Sequence, residues 1–253
     1  MTHGSLFSGI GGTDLAAEWL GWDNVFHCEW IEYKRKFLDN RFKGISYGDI
    51  STTNFTIHRG KIDVLTGGFP CQDASIAKTD GKGQQGLQGE RTTLFYEMVR
   101  AIREIRPKYV VAENVANILK VNGGADFRSI LCELSGLGYN AEWRVCYASE
   151  VGAPHKRARL YLVAYPSSIR LSTAQTFFSY VATKASQRCW EFAGASIQTF
   201  RGSAWNTEPP TICLDDGVSV KLVGQQLHGY GNAIVPQIAY SIFKAIEQLN
   251  TTT

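Results

Sequence analysis

No run of apolar residues in this 253-residue chain approaches the ~18–20 that a membrane-spanning helix needs. The six cysteines, at 28, 71, 132, 146, 189 and 213, form no Cys-x-x-Cys pair and have no histidine cluster beside them. That argues against structural zinc and against a secreted disulfide framework, and no metal site is expected. Excess charge of one sign is scarce too: 26 Lys and Arg stand against 23 Asp and Glu, a net +3. A balance that even is compatible with a polyanionic partner but does not identify one. Internal repeats and low-complexity tracts are absent, and so is the G-x-G-x-x-G dinucleotide fingerprint. The first strand pattern begins a few residues after Met1, so no signal peptide is expected. A reducing, cytoplasmic setting follows, with most thiols acting as small core residues.

What is present is an alternation of short apolar strands with amphipathic helices. Strands are predicted at 4–9, 24–30, 45–50, 62–68, 108–115, 141–148 and 159–165. Helices are predicted at 13–22, 31–42, 94–105 and 126–137. This is an α/β pattern, a mostly parallel sheet covered on both faces. The unbroken apolar run of IDVLTGG fits a strand buried on both sides. Residues 166–223 are rich in Ser, Thr and Gln with weak periodicity, and read as a separate small lobe. The last helix carries Ile238, Ile242, Ala245 and Ile246 on one face and is expected to return to the sheet.

Ligands of such sheets bind beyond the carboxyl ends of the strands. Glu29, Asp49, Cys71 and Glu113 fall at or just after predicted strand ends, on one rim. LFSGIGG (6–12) is a strand, a glycine-rich turn and a helix start, where the backbone can approach a ligand and offer free N–H groups. Taken alone it is also what a plain tight turn looks like. Glu29 can accept hydrogen bonds from both ribose hydroxyls, the Trp30 indole can stack on an adenine, and Asp49 can accept from its amino group. Together they describe an adenosyl-ligand pocket. In GGFPCQ (67–72), Pro70 stiffens the approach to Cys71, whose thiolate would be the reactive form. Arg157 and Arg159, two apart, share a face if the chain is extended there; solvated surface arginines are the other reading.

These segments resemble a known family, the bacterial and phage DNA (cytosine-5)-methyltransferases. LFSGIGG is similar to the family's first motif, GGFPCQ to its catalytic motif and ENV (113–115) to its activating motif. HKRAR (155–159) is similar to the Q-x-R-x-R stretch, with His155 in place of Gln. ERTTLF (90–95) resembles the segment that closes the mobile active-site loop, and GYGNAIVP (229–236) the last motif. The resemblance covers about 1–165 and 224–253 in the family's order and spacing. Residues 166–223 are short for a target-recognition region, and no clear ninth motif is found; RGSAWNTEPP (201–210) occupies roughly its place.

The resemblance implies a Rossmann-like S-adenosylmethionine-dependent methyltransferase sheet, with 166–223 as the target-recognition lobe. It implies methyl transfer to carbon 5 of a flipped cytosine in double-stranded DNA. Cys71, Glu113, Arg157 and Arg159 would be catalytic. The cofactor, S-adenosyl-L-methionine leaving as S-adenosyl-L-homocysteine, would be held by Phe7, Gly9, Ile10, Gly11, Gly12, Glu29, Trp30, Asp49, Ile50, Pro70, Leu94, Asn232 and Ala233. Phe69, Gln72, Ser75, Arg91, Asn114 and Val115 would meet the DNA. The segment 72–91, rich in glycine, lysine and polar residues, would be a lid closing over DNA. A monomer is expected, with a cognate restriction endonuclease acting separately where one exists. Three rivals stay open. An RNA methyltransferase of the same family would carry a Cys-Phe-Thr signature, not found here. A nicotinamide oxidoreductase lacks its fingerprint here. A silent DNA-binding relative would have lost the Pro-Cys pair or the Glu.

Overall fold

The computed structural model describes residues 1–69, 93–153, 155–169, 176–179, 181 and 233–251. Its strands are β1 (Thr2–Leu6), β2 (Asp23–Cys28), β3 (Ile45–Tyr47), β4 (Val64–Gly67), β5 (Tyr109–Val115), β6 (Tyr139–Tyr147) and β7 (Ala158–Pro166). Its α-helices are α1 (Gly12–Trp19), α2 (Glu32–Arg41), α3 (Thr93–Ile105), α4 (Ala125–Gly136) and α5 (Pro236–Thr251). The strands form one sheet in the order β3-β2-β1-β4-β5-β7-β6. The first five are parallel, and β7 runs antiparallel to both its neighbours. The chain winds outward from β1 to β3, then returns to add β4 and β5 on the other side of β1. The reversal leaves a crevice at the carboxyl ends of β1 and β4, where such sheets bind ligands.

Successive strand residues feed opposite faces. Leu65, Val110 and Leu162 join Met98 and Ile102 of α3 and Ile130 of α4 in one core. Val64, Val111 and Val163 join α1 and α5 in the other. All four residues of β4 are buried, which accounts for the unbroken apolar run. The expected α5 face is buried throughout. Trp22 stacks on its Phe243 with ring centroids 4.8 Å apart, and the indole N–H donates to Glu247 at 2.7 Å.

Several boundaries differ from the sequence reading, each for a local reason. β1 ends at Leu6 rather than residue 9 because Phe7 turns to φ 52°. α1 ends at Trp19 rather than 22, where Gly21 at φ 70° reverses the chain. β3 stops at Tyr47 because Asp49 closes a turn with Ser51–Thr53. Cys28 and Cys146 are buried thiols, each pushed up to about 12 first by burial. Cys132 departs from the core reading: it is exposed on α4.

Of the lobe read at 166–223, only 166–169, 176–179 and 181 are described. Phe177 is fully buried against Tyr109 and Tyr165, and Glu142 accepts its N–H at 3.2 Å. Among the described residues no helix is long and apolar enough to cross a membrane.

Candidate active site

The turn after β1 is built from residues in the left-handed region. Phe7 has φ 52°, Gly9 60° and Gly11 81°. For a phenylalanine that conformation costs about 1–2 kcal/mol, and strain of this kind gathers at binding sites. The turn is locked from below. The Ser8 N–H donates to the Cys28 carbonyl at 3.1 Å, and the Ser8 hydroxyl lies 2.7 Å from that of Ser5. Ser5 in turn donates to the buried Asp14 carboxylate at 2.9 Å. Among the described residues, a side chain at Gly9 would meet nothing within 4 Å. Gly12 is the opposite case: a Cβ there would lie 2.5 Å from the Ile234 carbonyl oxygen. The chain just before α5 therefore rests directly on the start of α1.

Glu29 follows β2 and is buried at the lip of this turn. Its Oε2 accepts the Gly9 N–H at 2.8 Å and its Oε1 the Ile31 N–H at 2.9 Å. Arg35 of α2 donates to the Glu29 and Trp30 carbonyls at 2.9 and 3.1 Å, which fixes the loop. The Trp30 indole is 71% exposed, unusual for so large an apolar ring and available for stacking. Asp49 uses Oδ1 to accept the Ser51 N–H and hydroxyl at 2.9 and 2.8 Å. Ile50 is buried, and Leu94 packs against the same core. Phe7, Gly9, Glu29, Trp30, Asp49 and Ile50 thus all follow the carboxyl ends of β1, β2 and β3.

Glu113 lies inside β5, next to the end of β4. Its Oε1 pairs with the Arg159 Nε at 3.1 Å, and its Oε2 would sit 3.3 Å from a Cβ on Gly68. Burial pushes the Glu113 carboxyl above its ordinary 4.5, with Arg159 and then Arg157 pulling partly back. Arg159 reaches this rim because β7 is antiparallel: its first residues pair with the last of β5, Val115 with Arg159 and Glu113 with Tyr161. Arg157 precedes β7 at φ 24° and donates to the Ala233 carbonyl at 2.8 Å. Arg159 therefore contacts Glu113 directly, whereas Arg157 acts on it electrostatically and ties the segment before α5 to the site. Asn114 donates to the Phe69 carbonyl at 3.3 Å and accepts the Val115 N–H at 2.8 Å. Phe69 is held by its ring contact with Phe95, 5.3 Å between centroids.

Pro70, Cys71, Gln72, Ser75, Arg91 and Asn232 lie outside the described residues, as do the expected lid and most of the lobe. What is described is a glycine turn, an acid after β2, an acid after β3 and a partly buried Glu–Arg pair on one rim.

The model of the C-5 cytosine-specific DNA methylases matches residues 1–206. The chain belongs to that family. It is 37% identical over 167 residues to the type II methyltransferase M.NgoBI of Neisseria gonorrhoeae, covering 65% of this chain and 50% of the relative. To M.HhaI of Haemophilus parahaemolyticus it is 34% identical over 170 residues, covering 67% and 50%. The chain thus spans about half the length of the curated relatives it matches. Among solved structures, the methyltransferase EhMeth of Entamoeba histolytica aligns over 98% of both chains with a TM-score of 0.62 at 14% identity, a likeness of fold.

Within this methylase-family site, two contributors were not read from the sequence. Arg35 and Arg100 each hold a pocket loop by its carbonyl oxygens. Their signal was weak, since each lies on a helix at positions that read equally well as solvent-facing charge.

Proposed function

We propose that the chain is a DNA (cytosine-5)-methyltransferase, using S-adenosyl-L-methionine to methylate carbon 5 of a cytosine turned out of double-stranded DNA. The observation that carries this reading is Glu113: a partly buried carboxyl whose pKa is raised by desolvation, paired with Arg159 beside the strand that leads into GGFPCQ.

Carbon 5 of cytosine is a poor nucleophile. A thiolate adding at carbon 6 converts the ring to an enamine that is nucleophilic at carbon 5. Cys71 would form that bond. Glu113 would give its proton, or a hydrogen bond, to ring nitrogen 3 and so receive the electron density pushed into the ring. Arg159 would hold Glu113 in register and support the adduct. Arg157 would keep the segment before α5 against the site. S-adenosylmethionine, when bound, would supply an electrophilic methyl group for the activated carbon. Loss of the carbon-5 proton to a base, an ordered water being one candidate, then expels Cys71 and restores the ring. The Phe69 backbone, held by Asn114, and Glu113 would favour cytosine over thymine at the exchanged amino/oxo edge.

The residues fit that cofactor. Glu29 would accept from its ribose, Trp30 and Phe7 would stack on its base, and Asp49 would accept from the adenine amino group. Gly9 leaves room for close approach. Residues 166–223 would supply target recognition, and a restriction endonuclease would act as a separate partner. Bisulfite-type sequencing of DNA from cells expressing the chain tests the whole reading. Protected cytosines in one sequence context are expected; uniform conversion overturns it.

Glu29→Ala separates the pocket from the rest. Losing a charged acceptor for two hydroxyls should weaken S-adenosylhomocysteine binding by about 10–100-fold. DNA binding, followed by mobility shift, should stay within a factor of about two, as expected for a distant independent site. Equal loss of both would refute the assignment.

A further inference from the structure

The turn that carries Asp49 and Ile50 belongs to no strand or helix, yet it is held at three backbone points from one helix. Arg100, near the middle of α3, donates through Nη2 to the Ile50 carbonyl at 2.6 Å. Its Nη1 donates to the Thr53 carbonyl at 3.1 Å and to Glu104 at 2.7 Å. Its Nε donates to Glu97 at 2.7 Å. Glu104 completes the grip: its Oε2 accepts the Phe55 N–H at 2.9 Å. The turn braces itself from inside as well. The Asp49 carbonyl accepts the Thr53 hydroxyl at 2.7 Å, and Asp49 Oδ1 accepts both donors of Ser51. Asp49 Oδ2 is left without a partner among the described residues.

Spacing alone would make Glu97, Arg100 and Glu104 ordinary helix-surface pairs, at i,i+3 and i,i+4, each contributing only ~0.2–0.5 kcal/mol. The structure gives them a different task. A guanidinium is a planar fork that fixes direction as well as distance, which an ammonium cannot do. Here the two carboxylates aim the fork, and the fork spends its remaining donors on carbonyl oxygens of a loop. Arg100 holds the Ile50–Ser51 peptide by its carbonyl oxygen, and the N–H of that same peptide donates to Asp49 Oδ1, so the heading of the Asp49 carboxylate depends on that grip.

We infer that Arg100, aimed by Glu97 and Glu104, is a positioning residue for base selection: it orients Asp49 to read the 6-amino group of the cofactor's adenine. This rests on the assignment of Asp49 and Ile50 to the adenine pocket made above.

The test compares two ligands by calorimetric titration: S-adenosylhomocysteine and its analogue carrying purine in place of adenine. Wild type should prefer the adenine ligand by about tenfold, the effect of one well-placed hydrogen bond. In Arg100→Gln the preference should shrink toward unity through loss of affinity for the adenine ligand, while the purine ligand changes by less than about twofold. Arg100→Lys, which keeps the charge but not the fork, should give an intermediate preference. A residue that only supports the fold would weaken both ligands alike, so an unchanged preference in the Gln variant overturns the inference. If that variant does not fold, the Lys variant decides, and full wild-type preference there overturns it equally. A wild type that binds both ligands alike removes the adenine reading itself, and the inference with it. A wild-type preference that survives in the variants leaves the reading standing and removes only Arg100.

Discussion

Cys71→Ala should abolish methyl transfer to duplex DNA, a loss on the order of 10⁴-fold or more, as for other covalent nucleophiles. The same variant should form no denaturation-resistant complex with DNA containing 5-fluorocytosine. That base blocks the final elimination and leaves the thiol attached to carbon 6. The cysteine assignment is helped by comparison with the described thiols. Cys28 and Cys146 are held up to about 12 by burial, so neither supplies a thiolate at neutral pH. Cys132 is exposed on α4, outside the motifs that resemble the family's. Cys71 follows Phe69 by two residues, a reach of about 7 Å, and Phe69 is tied by its carbonyl to Asn114 beside Glu113. Cys132→Ser is the matched control and should keep full activity. Trapping that persists in Cys71→Ala would sink the mechanism.

The sequence made Glu29, Asp49 and Glu113 legible for one physical reason. A parallel sheet is an apolar pattern, and an acid where that pattern stops stands out. β7 shows the limit of that logic. Arg157 and Arg159 were paired by their spacing, but it is Arg159 that pairs directly with Glu113, while Arg157 precedes β7 and donates to the Ala233 carbonyl. What brings Arg159 there is the reversed direction of β7, which puts the start of a strand on a rim otherwise made of strand ends. Alternating apolar residues do not encode strand direction. Phe7 was placed in the pocket by resemblance, but its left-handed backbone was invisible, because phenylalanine is not a residue from which φ 52° is inferred. Arg100 was hidden by ambiguity of another kind: its i,i+3 and i,i+4 acids mark a solvated helix face just as well. Only the packing of α3 against residues 50–55 separates the two. The packing of Phe177 on Tyr109 and Tyr165 was likewise outside what a Ser- and Thr-rich composition announces.

Glu113→Gln should lower single-turnover methylation by about 10²–10⁴-fold, the range for losing a positioned general acid, while leaving S-adenosylhomocysteine binding intact. Glutamine keeps the shape and offers a hydrogen bond, but cannot hand over a proton. The direction of the shift adds a pH signature. Burial raises the Glu113 carboxyl above 4.5, and the two arginines only partly offset this. Activity that needs the protonated acid should therefore fall as pH rises through the raised value, with that limb absent in the Gln variant. Stability should move the same way. Between 4.5 and the raised value the folded chain binds more protons at this site than the unfolded chain. The contribution of Glu113 to stability is then complete below 4.5 and lost as pH climbs through the folded value. Denaturant melts of wild type and Glu113→Gln across that window should show a stability difference that shifts steadily against wild type as pH rises. A difference independent of pH would make Glu113 an ordinary ionised partner of Arg159, and its role as the proton donor to cytosine would have to be given up.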